Sequence, residues 1–332
     1  VGRPRLSAAT KAARGTLRTD RERGKRRGSA TPAEPAVEPR DYLGIALRYA
    51  ADVLAGNITT GTWARLAVER QDRDLRRAAD DPSWPYVFSS EHAAAVCAFV
   101  EWLPHVEGKW DSPTIVLQPW QCWLLTTLFG WRHRADCSRR RFVTSYWESG
   151  RKSAKSTIAA ALALFHLLYE GEEGATVICG AKTGAQARVV FSIAQRMVRR
   201  AAWLRKAGLL VFANAITHEA IGGTMKPVNS KAQSLDGLNP SAIVLDESHA
   251  QTFALHDVLK SSQGARRNPL LLCPTTAGYA LTSVGFALRS TLQKVLQGIF
   301  TADHLHGCIF ALDEGDDCAT RRRGARRTRR SA

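Results

Sequence analysis

The stretch SYWESGRKSAKSTIAAALALFHLLY, residues 145–169, sets a glycine, two cations and Lys-Ser-Thr directly before a long apolar run, and this junction decides the fold. Upstream, RFVTSYW (141–147) carries the β-branched and aromatic residues of a strand. Downstream, STIAAALALFHLLY (156–169) is rich in good helix formers. Between them lies a tight Ser149-Gly150 turn, after which the first helical turn aims unpaired backbone N–H groups at whatever anion sits there. The phosphate-loop template asks for two glycines around four residues, then Lys and Ser/Thr. Aligned on Lys155 and Ser156, this chain has Ser149 and Ala154 where those glycines stand. In the phosphate reading Lys155 neutralises β- and γ-phosphate oxygens of ATP, and Ser156 or Thr157 offers a hydroxyl to Mg²⁺. In the competing reading Arg151, Lys152 and Lys155 are solvated charges at the start of a buried helix.

Working outward, compact apolar runs alternate with helical periodicity. ATVICGA (175–181) reads as a strand, AQARVVFSIAQRMVRR (185–200) as a helix, and SAIVLDE (241–247) and PLLLCPTT (269–276) as buried parallel strands. This predicts an α/β fold of the P-loop NTPase (RecA/ASCE-like) type, a parallel-rich sheet flanked by helices with its ligand site at the strand carboxyl ends. Asp246-Glu247 end one of these strands about 90 residues after Lys155. That arrangement places one carboxylate near Mg²⁺ and the next beside an attacking water. Thr275, Thr276 and Gly278 end the following strand, where hydroxyls are placed to sense a γ-phosphate. His249, next to the acid pair, is expected to be a local hydrogen-bonding group.

Before this core, DYLGIALRYAADVLAG, TTGTWARLAVERQDRDLRRAA, SSEHAAAVCAFVEWL and PWQCWLLTTLFGW space apolar residues three or four apart and predict a helical N-terminal subdomain over 41–137. Trp102, Trp110, Trp120, Trp123 and Trp131 fall within apolar patterns and are assigned to packing rather than base stacking. The ATPase core is expected over 138–317, between a basic arm and linker at 1–40 and an Arg-rich tail at 318–332. The net charge of +17 is concentrated in the ends: residues 1–40 and 319–332 carry +7 each, leaving +3 between them. Such tails attract polyanions without sequence preference. The seven cysteines form no zinc-ligand pattern and are expected to be buried thiols. The longest apolar run is too short to span a bilayer, and no secretory signal opens the chain, so a cytoplasmic protein with no membrane association is expected.

The motifs ESGRKSAKST, LQPWQCWLLTTLFGW, SKAQSLDGLNPSAIVLDESHA, RRNPLLLCPTTAG and FALDEGDD, taken together, resemble the ATPase part of the large terminase subunit of tailed bacteriophages. The resemblance implies a motor that drives double-stranded DNA into a capsid, working with a portal protein and a small terminase subunit in a homo-oligomeric ring. It implies that Gln121 reads the adenine edge with Trp120 as its packing neighbour. It further implies that Gly150 and Arg151 belong to the phosphate loop, that Lys155 and Ser156 bind phosphate and Mg²⁺, and that Asp246 is the metal-side acid. Glu247 would activate water, and Thr275 to Gly278 would couple the γ-phosphate state to movement. Arg266 or Arg267 would offer a cation to a site, in cis or to a neighbour. The family's loop commonly reads Arg-Lys-x-Gly-Lys-Ser/Thr, so Ala154 is the departure, and impaired turnover is one expectation from it.

Large terminases continue into a nuclease domain, whereas after Asp317 this sequence shows only CATRRRGARRTRRSA, without an acid. A frameshift that truncates the chain, as in a degraded prophage, accounts for that composition, and no nuclease activity is expected. Two other classes fit part of the sequence. DESH resembles superfamily 2 helicases, which need a second RecA-like domain that the residues after Gly278 are too few to build. A prophage remnant that binds DNA or a partner without ATPase activity is the non-enzymatic alternative.

Overall fold

A computed structural model describes residues 40–230, 238–278 and 280–316. The expected arm before residue 40 and the tail at 318–332 lie outside the described residues. Upstream of the core, helices α1 (Tyr42–Ala55), α2 (Thr62–Asp80), α3 (Ser90–Glu101) and α4 (Pro119–Gly130) pack on one another. Asp41 caps α1 by accepting a hydrogen bond from Gly44 N–H, and Ser89 caps α3 at His92 N–H. Helix α4 is apolar around its whole circumference and is buried from Gln121 to Gly130. A feature not anticipated from the sequence is a small antiparallel sheet of β1 (Tyr86–Phe88), β2 (Trp131–His133) and β3 (Asp136–Arg140).

From residue 144 the chain builds the main sheet. Its strands are β4 (Thr144–Glu148), β5 (Thr176–Ala181), β6 (Leu209–Val211), β7 (Ile216–His218), β8 (Gly223–Asn229), β9 (Ala242–Leu245), β10 (Leu270–Thr275) and β11 (Leu305–Ile309). Their spatial order is β11-β4-β10-β9-β5-β8-β7-β6. The first six in this order run parallel, and β8-β7-β6 form an antiparallel edge. Central strands β4, β9 and β10 are buried at every position, which explains why β9 and most of β10 read as apolar runs rather than alternating ones.

Helix α5 (Lys155–Tyr169) follows β4 and buries Ile158 to Leu167. Each fully buried Leu or Phe contributes about 1.5–3 kcal/mol, so this face anchors the loop that precedes it. Helices α6 (Gly184–Arg200) and α7 (Ala202–Lys206) follow β5, α8 (Phe253–Ser261) follows β9, and α9 (Val284–Leu296) precedes β11. The result is the expected α/β architecture, with β10 inserted between the loop-bearing β4 and the acid-bearing β9. Among the described residues no helix is long and apolar enough to cross a membrane.

Two packing expectations need correction. Trp110 is 61% exposed and stacks on His105 at 4.5 Å, because its loop, 104–118, runs along the surface. Cys137 lies on the exposed face of β3, whereas Cys97, Cys122, Cys179, Cys273 and Cys308 are buried and Cys318 lies outside the described residues.

Candidate functional site

Because β4, β9 and β10 are parallel neighbours, the segments following all three emerge at one edge of the sheet. Ser149 N–H donates to Thr275 O at 3.1 Å, tying the start of the loop to the end of β10. The loop then turns through Lys152 (φ 66°) and Ala154 (φ 61°, ψ 22°), both in the left-handed region that non-glycine residues rarely adopt. Ala154 is the residue immediately before α5, so its methyl group occupies the position where the template has a glycine. Glycine would adopt this conformation freely; alanine holds it only because the packed helix and strand fix the loop on both sides.

Lys155 is buried and folds its ammonium back onto the loop, donating to Ser149 O at 3.1 Å and Gly150 O at 3.0 Å. Burial lowers its pKa, opposed by the negative charges of Glu247 and Asp246. Arg151 is exposed at the loop tip. Gln121 at the start of α4 donates from Nε2 to Ser153 O at 3.3 Å and accepts from Gln118 N–H at 2.9 Å, so it is a wall of the same loop. Trp120 beside it packs edge-on against Phe310.

The two halves of the site meet through one contact. Ser156 Oγ, on the first turn of α5, donates to Asp246 Oδ2 at 2.6 Å, while Asp246 Oδ1 accepts from Glu247 N–H at 3.0 Å. Thr157, half-buried on the same turn, is the adjacent hydroxyl, but Ser156 is the one that reaches the acid. Burial raises the Asp246 pKa; the Ser156 hydrogen bond opposes this and the Glu247 charge adds to it. A buried carboxylate paired with a hydroxyl is a hard-oxygen set, and Mg²⁺ takes one or two protein ligands of this kind together with waters and phosphates. Among the described residues there is no cluster of three or more His, Cys, Asp or Glu that would hold a metal by protein ligands alone. The residues therefore fit a nucleotide-borne Mg²⁺.

Glu247 itself lies in the left-handed region (φ 50°, ψ 53°), which swings its side chain toward the end of β10. Its Oε2 accepts from Thr276 N–H at 3.1 Å and from Thr276 Oγ at 3.0 Å. Thr275 is fully buried and bonds to His249. Glu148, which ends β4, accepts from Arg289 of α9 at 3.0 Å and from Tyr146 OH at 2.8 Å. No local pattern signals the Glu148–Arg289 pair, whose members are 141 residues apart.

Arg266 and Arg267 are not brought to this edge. Arg266 donates to Asn239 O and Gly174 O and pairs with Glu172, and Arg267 pairs with Asp136. Those partners precede β9 and β5 or lie on β3, at the amino end of the parallel strands, so neither arginine serves the loop of its own chain.

Comparison with known proteins gives this geometry a lineage. Residues 119–293, more than half of the chain, match the family model described as terminase large subunit, ATPase domain. Protein YmfN of Escherichia coli K12 is 40% identical over 83 residues, covering 25% of this chain and 18% of YmfN. The terminase large subunit of Enterobacteria phage HK97 is 25% identical over 168 residues, covering 45% of this chain and 33% of that protein. The crystal structure of the HK97 large terminase superposes with a TM-score of 0.59 at 20% identity, covering 71% of this chain and 47% of the other, which shows the shared fold. In each case the match spans less than half of the relative's length. With Gln121, the loop, the acid pair and Arg289 inside the matched region, the chain belongs to the terminase large subunit ATPase domain family.

Proposed function

We propose that this chain binds and hydrolyses Mg-ATP at the carboxyl edge of its sheet, and that hydrolysis powers the movement of double-stranded DNA during capsid packaging. The observation that carries the reading is the 2.6 Å contact between Ser156 and Asp246, which unites the phosphate loop with the acid pair. Lys155 exchanges the Ser149 and Gly150 carbonyls for phosphate oxygens, and the N–H groups of the first α5 turn complete the cradle. Ser156 and Asp246 would hold a Mg²⁺ brought with the nucleotide, which would supply charge neutralisation at the phosphate oxygens. Glu247 orients the attacking water, and Gln121 turns from Ser153 toward the adenine edge. Thr275 and Thr276 lie where the departure of the γ-phosphate is felt. A portal protein, a small terminase subunit and further copies of this chain are the partners this role entails.

The test is Mg-ATP turnover by the parent chain and by Glu247→Gln. The amide keeps the side-chain shape but not the charge, so turnover should fall by about 10²-fold or more while nucleotide binding persists. Equal turnover by the two proteins would contradict the assignment. The alternative of a binding remnant draws on the left-handed Ala154, and it predicts no turnover in the parent.

A further inference from the structure

We propose that His249 is a positioning residue for Glu247, its Nδ1–H donating to Thr275 while lying beside the Glu247 carboxylate. The proposal rests on the ATPase reading above and adds a residue to it.

The protonation of the ring follows from what faces it. Nδ1 lies 2.9 Å from Thr275 Oγ and 3.2 Å from Glu247 Oε2. Thr275 Oγ donates its only proton to Thr276 O at 3.0 Å, so toward His249 it can only accept. It already accepts from His249 N–H at 3.2 Å, and it is fully buried. A carboxylate oxygen likewise only accepts. Two acceptors facing one ring nitrogen require that nitrogen to carry a hydrogen, which for a neutral imidazole is the Nδ1–H tautomer.

Glu247 Oε2 accepts two hydrogen bonds, from Thr276 N–H and Thr276 Oγ, and lies 3.2 Å from His249 Nδ1, whose N–H dipole adds to their hold. Holding one oxygen in this way fixes the carboxylate plane and leaves Oε1 as the oxygen available to a water. The ring has little freedom to leave. A Cβ on Gly278 would lie 2.4 Å from His249 Cβ, and one on Gly285 would lie 2.7 Å from His249 N and 2.8 Å from its Cα. The segment after β10 and the first turn of α9 therefore close on His249 from two directions, and only glycine permits either approach. Thr275 and Thr276 reach Glu247 both directly and through the imidazole, so a shift of the segment after β10 changes the carboxylate angle by two routes.

Two substitutions separate donation from packing. His249→Asn places an amide donor near the Nδ1 position without the ring, and His249→Phe keeps a ring without the donor. With Mg-ATP, His249→Phe should lose about tenfold in kcat with KM within about twofold, whereas His249→Asn should stay within about threefold of the parent. Parental turnover in His249→Phe, or an equal loss in both variants, overturns the proposal. Independently of turnover, ¹⁵N spectra of the histidine-labelled chain, with His249 assigned by its loss in His249→Asn, should show the Nδ1–H tautomer; the Nε2–H tautomer overturns it. A parent no faster than Glu247→Gln would sink the ATPase reading instead, and the tautomer measurement would still decide the donor assignment alone.

Discussion

The amino and carboxyl edges of the main sheet are built from similar polar residues, yet the backbone around them differs. At the amino edge Arg140 is fully buried, pairs with Glu170 and donates to Asn268 O at 3.0 Å and Pro269 O at 2.9 Å. Asn268 in turn bridges Glu170 and Ser138 O, and Arg266 fills the carbonyls before β5 and β9. These groups hold strands and helix ends in place through ordinary backbone. At the carboxyl edge stand Lys152, Ala154 and Glu247, the non-glycine residues with positive φ among the described residues. Strain of this kind persists where surrounding structure over-determines it, and it gathers at sites that must act on a ligand. One edge spends its polar groups on rigidity, and the other keeps them poised beside strained turns.

If that division is right, substitutions at the two edges should separate stability from nucleotide handling. The largest effect is expected at the amino edge: Arg140→Ala leaves Glu170 buried without its principal cation and should cost about 3–5 kcal/mol in chemical denaturation. Mg-ATP affinity of the protein that remains folded should not change. A large loss of affinity at unchanged stability would erase the distinction between the edges.

Ala154→Gly comes next. Removing the Cβ from a left-handed position should relieve about 1–2 kcal/mol, visible as a higher denaturation midpoint, with Mg-ATP affinity equal or improved. Lower stability in this variant would mean that the loop conformation is not strained.

The smallest expected effect is at Asp246, where function and stability oppose each other. Burial raises its carboxyl pKa, so the folded state holds the proton more tightly than the unfolded chain. Well below the ordinary Asp pKa both states are protonated and the group costs nothing; as pH rises through that value toward the raised one, the parent loses stability. Asp246→Asn, which cannot ionise, should therefore be more stable than the parent at pH 7 and should converge with it in acid. It should also lose Mg²⁺-dependent nucleotide binding. A stability difference that widens on acidification would have the wrong sign.

Much of this was legible in sequence because the informative elements are continuous. The strands β5, β9 and β10 read largely as apolar runs, β4 carries β-branched and aromatic residues, and Lys155, Ser156, Asp246 and Glu247 sit directly at strand or helix ends. The strand β11 was missed because LHGCI contains His306 and Gly307. Its burial depends on Gly307, where a Cβ would lie 2.3 Å from Tyr146 O. The strands β6 and β7, three residues each, are too short to show a period. His249 was legible as a local hydrogen-bonding group, but its bridge to Thr275 depends on a neighbouring strand. The Glu148–Arg289 pair depends on α9 returning beside β4, a contact that no local pattern encodes.

The central claim is that the loop between β4 and α5 is a Mg-ATP site rather than a charged helix start, and calorimetric titration of the full chain with Mg-ATP tests it most directly. The parent should bind, Lys152→Ala should bind nearly as well, and Lys155→Ala should lose about 2–3 kcal/mol, the value of a charge-assisted contact to phosphate. Equal affinity of the parent and Lys155→Ala, or no binding by the parent, would contradict it.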